Sequence, residues 1–424
     1  MKNKIEKLCL VQPSNDFQVS VHKHALPLTF PYLIKEFSLD KEFQISLYVE
    51  DKNNISFSEF IATEKPLIVL ITVNTATFPN SIRIARIAKQ YNCHVILGGI
   101  FATMNAEIIT ENYSCFDQII KGFPSKNFFK LLPKQKIIEG RRSYDIDFEI
   151  ADVLNNPIFK FYKNDPVCYE ITFGCAFNCN FCSLRYVWGK GVCSFRNSKT
   201  VNNDFKKLGN WDSLKIIDDD ILQSQDILKE CEIGNNFKKI VAETRIDRIN
   251  ENTILILKKL GVTHLIMGVE SFDTNNLNTS SKTKLKNWKE KTHKAIDLCV
   301  KYGIIPRPVM QFLFPDMPKS YLTNITPQIK DWTPQNGIEV FFVFFTPHPG
   351  IKIRGISSNN LITNDLSKFD HLSPVYKPNG YSNSDVNQIL NEFNNLVDIT
   401  DSLKYNPYIK STGGFIRDFE SFFQ

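Results

Sequence analysis

Gly174-Cys175-Ala176-Phe177-Asn178-Cys179-Asn180-Phe181-Cys182 carries three cysteines at C-x-x-x-C-x-x-C spacing. The run before it, Cys168-Tyr169-Glu170-Ile171-Thr172-Phe173, reads as a strand. Such a loop curls three thiolates around one centre. Thiolates are soft ligands and select zinc, copper(I) or iron–sulfur centres. A cubane cluster normally takes four cysteines. Three leave one iron open, and an open position is where metal chemistry happens. Phe173, Phe177 and Phe181 would keep water off a cluster and so tune its potential. Two blander readings stand beside this one. A structural zinc loop would need Cys193 as fourth ligand, although zinc sites usually space cysteines as C-x-x-C pairs. The three cysteines could also be buried and inert.

Downstream, strands are expected at 213–217, 239–242, 264–267, 308–314 and 338–345. Helices at 199–208, 221–231, 251–260 and 288–302 alternate with them, which predicts a full or partial parallel barrel over 168–350. Charged residues recur where these strands end: Asp218-Asp219-Asp220, Glu243 with Arg245, and Glu270. In a parallel barrel such ends share one mouth with the cysteine loop. Charges there could simply solvate a rim. Carboxylates also accept hydrogen bonds from an ammonium or a ribose diol, and Arg forks onto a carboxylate.

Upstream, residues 1–135 read as α/β. The expected order is helix 28–37, strand 43–49, strand 67–73, helix 80–91, strand 93–97, helix 105–111, strand 116–120 and helix 125–132. That alternation predicts a doubly wound, Rossmann-like domain. Ligands bind such sheets beyond the carboxyl ends of the strands, here at Thr72, Asn74 and Thr75, and at Gly98-Gly99. Adjacent glycines allow close backbone approach to a ligand, or make only a tight turn. No G-x-G-x-x-G is present, so no dinucleotide reading follows. Residues 136–167 read as a polar linker, and 351–424 as an extension with one amphipathic helix at 384–397.

The 424 residues carry a net charge of +6, spread among mixed acids and bases, so no nucleic-acid footprint follows. Ten cysteines at irregular positions, with no signal peptide expected at the charged N-terminus, argue against a secreted disulfide scaffold. No apolar run approaches the ~20 residues of a membrane span. The expectation is a cytoplasmic protein.

The cysteine loop resembles the signature of the radical S-adenosylmethionine (radical SAM) enzymes. The resemblance implies that Cys175, Cys179 and Cys182 hold a [4Fe–4S] cluster whose open iron is chelated by SAM. Reductive cleavage of SAM then gives a 5′-deoxyadenosyl radical that attacks an unactivated carbon. The barrel patches are similar to one large subfamily. Asp219 stands where that subfamily contacts the SAM amino group, and Glu243-Thr244-Arg245 and Gly268-Val269-Glu270-Ser271 look like its other SAM contacts. Arg196 and Ser198 fit the same pattern. The first domain resembles the cobalamin-binding domain of that subfamily, through Leu26-Pro27-Leu28, strand 67–73, Gly98-Gly99 with Ala102-Thr103, and Asp117 before Gly122. Gly122-Phe123-Pro124-Ser125 departs from the usual Gly-Glu-Gly-Glu, and Phe314-Pro315-Asp316-Met317-Pro318 from a Gly-x-Pro turn. Cobalamin, contacted by Thr72, Asn74, Thr75, Gly98 and Gly99, would make the reaction a methyl transfer. Without it, a radical rearrangement, cyclisation or oxidation is the alternative. An electron donor such as flavodoxin or ferredoxin is implied. Peptide, lipid, tetrapyrrole and small metabolite all remain open as substrate.

Overall fold

The computed structural model describes residues 6–14, 26–124, 135–141, 145–191, 193–209, 211–233, 237–353 and 356–402. Two six-stranded parallel sheets dominate them. The first contains β1 (Glu6–Gln12), β2 (Phe43–Val49), β3 (Ile68–Thr72), β4 (His94–Gly98), β5 (Gln118–Lys121) and β6 (Ile137–Glu139). Its order is β2-β1-β3-β4-β5-β6. The second sheet receives β7 (Val167–Tyr169) and, after the ribbon strands β8 (Thr172–Gly174) and β9 (Cys193–Phe195), β10 (Ser213–Ile216), β11 (Lys239–Arg245), β12 (His264–Glu270), β13 (Ile305–Phe312) and β14 (Phe341–Phe344). Its order runs β7-β10-β11-β12-β13-β14 without closing, so the barrel is partial. The Rossmann-like domain followed by a partial barrel is the architecture expected from the sequence.

The centre of the first sheet is buried on both faces because β1, β3 and β4 carry continuous apolar runs, over 8–11, 68–71 and 95–97. Alternation sends Leu8, Leu10, Leu70 and Ile96 to one face and Cys9, Val11, Val69, Ile71, Val95 and Leu97 to the other. The second set packs beneath the helices Phe57–Glu64, Phe78–Gln90 and Ile100–Asn112. The first set merges with the barrel core into one cluster, so the two sheets share an apolar interior. Continuous burial of that kind, at about 25 cal/mol per Å² of apolar surface, holds the two parts together.

Several expectations shift in detail. Leu8-Cys9-Leu10-Val11, a short apolar run in the sequence, lies at the heart of β1 between β2 and β3. Within the segment read as linker, 137–139 adds β6 to the first sheet. The helix after Gly99 starts at Ile100 and is kinked at Asn105, where φ is −129°. The helix expected at 125–132 lies outside the described residues. The amphipathic helix appears as Asn383–Ile399, and its Phe393 packs against the rings of Phe312, Phe342 and Phe344 on β13 and β14. Among the described residues, no helix is long and apolar enough to cross a membrane.

Candidate active site

The run 168–173 is not one strand. β7 ends at Tyr169, and β8 pairs antiparallel with β9 instead of continuing in the sheet. The cause is Asp218 at the end of β10. Its carboxylate accepts the backbone N–H of Ile171 at 2.7 Å and of Thr172 at 3.0 Å, turning the chain out of the sheet. The β8–β9 ribbon therefore presents the cysteine loop over the strand ends. Gln223 holds the loop's start: its amide donates to the Gly174 carbonyl at 2.7 Å and accepts from the Ala176 N–H at 3.1 Å. The Asn180 N–H donates to the Ser280 carbonyl at 2.8 Å.

Cys175, Cys179 and Cys182 line one small pocket with Phe177, Leu184, Arg185, Trp188 and Gly189. Trp188 packs edge-on to Phe173, ring centres 4.8 Å apart, and seals one wall. Cys193 does not line this pocket; its thiol faces Gln223 at 3.6 Å. Among the described residues no three Cys, His, Asp or Glu side chains converge as the ligands of one ion would. Burial pushes the Cys175 thiol up to about 11 and the Cys182 thiol up to about 12. A metal must displace those protons to bind.

The three aspartates after β10 diverge. Asp218 serves the ribbon. Asp220 is fully buried and accepts from Thr244 Oγ1 at 2.7 Å, with Arg248 at 3.2 Å. Asp219, between them, opens to solvent at the mouth and has no hydrogen-bond or ion-pair partner among the described residues. The protein crowded around its carboxyl, then the charges of Glu243, Asp218 and Asp220, push it up to about 7, although its edge reaches solvent. Among the described residues, Glu243 meets only Lys215, at 3.7 Å. Two neighbouring carboxylates short of partners are a ready acceptor for an ammonium.

Arg245, expected from the sequence to contact SAM, has several partners within the protein. Its guanidinium lies 3.7 Å over the Phe177 ring and donates to Cys179 Sγ at 3.5 Å. Nε and one terminal nitrogen fork onto Asp247 at 3.0 and 2.8 Å, and that nitrogen also donates to the Lys282 carbonyl at 2.6 Å. Those four bonds leave one of its five N–H donors. It therefore anchors the cysteine loop to β11. Arg245→Lys, which keeps the charge and loses the fork, is expected to make the cluster more labile. Iron release to a chelator, followed by absorbance, should quicken several-fold; an unchanged rate would remove Arg245 from the anchor.

Glu270 stands at φ +64° and pairs with the buried Lys282 at 2.9 Å. Gly268 makes room for the pair: a Cβ there would come 2.7 Å from Lys282 Nζ and 2.8 Å from Glu270 Oε1. Lys282 carried no sequence signal. Ser271 is fully buried against the Tyr321 hydroxyl at 2.9 Å, which is a packing role. Arg196 is also buried. It donates to the carbonyls of Glu170 and Phe148 and to the Tyr32 hydroxyl at 3.0 Å, among the rings of Tyr32, Phe148 and Tyr169. Ser198 donates to Glu230 at 2.7 Å. Arg196 and Ser198 thus serve the framework of the loop.

Glu170, between β7 and β8, accepts from the Tyr32 hydroxyl on the helix Thr29–Phe37 at 2.9 Å. Burial, then Asp218, pushes Glu170 up to about 8, and burial pushes Asp218 up to about 7. Both folded-state values lie above the ~4 of an unfolded carboxyl. Between those limits the folded state binds more protons, so stability falls as pH rises. The metal-free protein is expected to unfold at lower urea at pH 8 than at pH 6. Glu170→Gln should flatten that slope, by up to about 1.4 kcal/mol per pH unit.

Across the seam lie the strand ends of the first sheet. The Gly99 φ of +101° and a would-be Cβ only 2.4 Å from the Val73 carbonyl make this glycine obligatory for the turn. Gly98 differs: the nearest atom to a Cβ there is Ile120 Cβ at 3.9 Å. Thr72 is half-buried at the end of β3. Asn74 caps its own turn by accepting the Thr77 N–H at 2.9 Å, and Thr75 is buried. Thr103 ties the loops together, donating to the Gly99 carbonyl and accepting from the Gly122 N–H. Phe101 and Phe123 are both buried in apolar cores. Phe101 packs on Phe78 at 4.5 Å inside one core, and Phe123 is buried beside Tyr32 in the other.

The last barrel turn, Thr346-Pro347-His348-Pro349-Gly350, reaches the first domain. Asn105 donates to the Pro349 carbonyl at 3.1 Å, and Gly350 abuts Met104. The short helix Leu184–Val187, beside the cysteine pocket, also touches the helix Ile100–Asn112. The two sets of strand ends thus meet along one seam.

No protein-family model matches the chain. An uncharacterized methyltransferase of Pyrococcus horikoshii is 22% identical over 91% of this chain and 91% of its own. Hopanoid C-3 methylase of Methylococcus capsulatus is 23% identical over 75% of this chain and 66% of its own. Among solved structures, the radical S-adenosylmethionine methyltransferase TsrM of Kitasatospora setae, with cobalamin and a [4Fe–4S] cluster bound, superposes with a TM-score of 0.69. The match is 14% identical and covers 99% of this chain and 98% of that one. OxsB, a cobalamin-dependent S-adenosylmethionine radical enzyme, superposes at 0.59 over 78% of this chain and 52% of its own. Over nearly its whole length, the chain has the fold of the TsrM structure.

Proposed function

We propose that this chain is a radical SAM C-methyltransferase that binds cobalamin in the seam between its two sheets. The observation that carries the reading is the meeting of the cysteine loop and barrel strand ends with the strand ends of the first sheet. When bound, the cluster and SAM would supply a 5′-deoxyadenosyl radical, and cobalamin would supply the methyl group.

The chain's own residues position these groups. Cys175, Cys179 and Cys182 would hold three irons, with Phe173, Phe177 and Trp188 walling off water. Asp219 and Glu243 would accept hydrogen bonds from the SAM amino group. Glu270, steadied by Lys282, faces the same mouth. Gly98 would let the corrin approach the backbone, with Thr72 beside it. The TsrM relative is known with tryptophan bound, which makes a small molecule our choice of substrate class.

The test is anaerobic purification from cells supplied with hydroxocobalamin, followed by cobalt and iron analysis. Near-stoichiometric cobalt beside four irons, with methyl label moving from SAM to a product, is expected. SAM cleavage without cobalt would favour the cobalamin-free radical reaction instead. Asp219→Asn and Glu243→Gln should each weaken SAM binding roughly ten- to hundred-fold at unchanged iron content, the size of a lost charge-assisted hydrogen bond. Unchanged affinity in both would remove them from the site.

A further inference from the structure

Residues 282–294, Lys-Thr-Lys-Leu-Lys-Asn-Trp-Lys-Glu-Lys-Thr-His-Lys, hold six lysines and one acid. That one stretch carries a net +5, where the whole chain carries +6. Local structure does not ask for this charge. The stretch runs into the helix Trp288–Lys301, whose first turn contains Lys289 and Lys291 against a single acid, Glu290, with no side-chain cap from Asn287. Positive charge is unfavourable at a helix N-terminus. Lys282 is buried against Glu270. Among the described residues, the ammonium groups of Lys284, Lys286, Lys289, Lys291 and Lys294 make no hydrogen bond or ion pair.

The position of the stretch gives its charge a use. Two bonds clamp its start to the cysteine loop. The Asn180 N–H donates to the Ser280 carbonyl at 2.8 Å, and Arg245, which also meets Cys179 Sγ, donates to the Lys282 carbonyl at 2.6 Å. Buried Trp288 fixes the other end, donating from Nε1 to the Val269 carbonyl at 3.1 Å. Between these anchors Lys284, Leu285, Lys286 and Asn287 are exposed, and Leu285 keeps 38% of its surface in water. An apolar centre with a charged rim is the anatomy of a protein-docking surface. Asn180 lies between Cys179 and Cys182, so the loop expected to hold the cluster abuts this surface directly. On the loop's other flank Arg185 donates to Asn180 Oδ1 at 2.5 Å, and Lys190 is exposed. From Ser280 to Lys284 the chain spans at most about 14 Å.

We propose that the lysine-rimmed surface around Leu285 docks an acidic one-electron carrier protein, which reduces the cluster held by the neighbouring cysteine loop. The proposal rests on the radical SAM reading for the cluster and adds where its electron enters. One electron passes per encounter: the carrier is oxidised by one, the cluster is reduced by one, and no atom is exchanged. Charge complementarity sets the partner's sign and speeds the encounter. A nucleic acid fits less well. The exposed residues of 284–294 include no arginine to fork onto phosphate and no aromatic ring to stack on a base.

The test uses the anaerobically reconstituted protein and an acidic flavodoxin. Calorimetry with oxidised flavodoxin reads docking, and stopped-flow mixing with its hydroquinone reads cluster reduction. The combined variant Lys284→Glu, Lys286→Glu, Lys289→Glu should keep its iron and lose affinity and reduction rate, each on the order of tenfold or more. Reduction by reduced methyl viologen, a small cation, should not slow. The same reversal at Lys41, Lys65 and Lys163, exposed elsewhere, should leave both readings near the parent's. Equal losses in the two triple variants, or none in either, would overturn the proposal. Should the first variant lose iron, Lys284→Gln, Lys286→Gln, Lys289→Gln, read by the same affinity, decides in its place. A short single-stranded RNA that binds this surface more tightly than flavodoxin and displaces it would overturn the proposal in favour of nucleic acid. Docking is read without SAM, cobalamin or turnover, so failed methyl transfer would sink the functional reading and leave this one measurable.

Discussion

Serine at Cys175, Cys179 or Cys182 is expected to bring SAM cleavage down to background, with most of the iron lost on desalting. The three thiols line one pocket and no fourth cysteine joins them there, so each loss removes a third of the ligand set. Cys193→Ser should retain iron and activity, because its thiol is turned to Gln223. The fold should survive all four changes. The loop hangs from Asp218, Gln223 and Ser280 through hydrogen bonds that do not involve the thiols. Iron and acid-labile sulfide, measured after anaerobic reconstitution, separate the outcomes. If Cys193→Ser alone stripped the metal, the three-cysteine site with an open iron would be wrong and a four-thiolate centre would take its place.

Features written in local pattern were legible. β2 appears at the residues its alternation predicts, and the continuous apolar runs of β3 and β4 mark strands buried on both faces. The cysteine spacing and the recurring acids at strand ends located the mouth. What sequence could not show is which partner each polar group finds across the chain. Asp218 breaks the 168–173 run from 46 residues away or more. Lys282 reaches Glu270 only because Gly268 leaves room for both. Arg245 reads as a ligand clamp in its Glu-Thr-Arg context, yet Phe177, Cys179, Asp247 and Lys282 claim most of its donors. His348 and His371 had no motif to join them, because 23 residues separate them and only the folded seam brings their rings together. Propensity and period act over a few residues, whereas these contacts are products of the tertiary fold.

Gly98→Leu and Gly99→Ala, two changes at adjacent positions, are expected to fail in opposite ways. At Gly99 the backbone sits at φ +101° and a Cβ would strike the Val73 carbonyl, so Gly99→Ala should destabilise the first sheet by about 1–3 kcal/mol or more. A lowered urea midpoint would register it. Gly98 is not in the left-handed region, and its Cβ position meets nothing closer than 3.9 Å. Gly98→Leu should therefore fold with a near-unchanged midpoint. The leucine side chain would project where β4 ends, into the space that the functional reading gives to the corrin. Cobalt content should fall to a small fraction of the parent's, and methyl transfer with it. SAM cleavage should persist, because the cysteine loop, Asp219 and Glu243 belong to the second sheet and its ribbon. Circular dichroism, cobalt analysis and 5′-deoxyadenosine release, run on one preparation, read the three quantities together. A folded Gly98→Leu protein that holds cobalt as the parent does would move the cofactor away from the end of β4. Parallel loss of cobalt and of SAM cleavage would mean instead that the two sites cannot be filled independently across the seam.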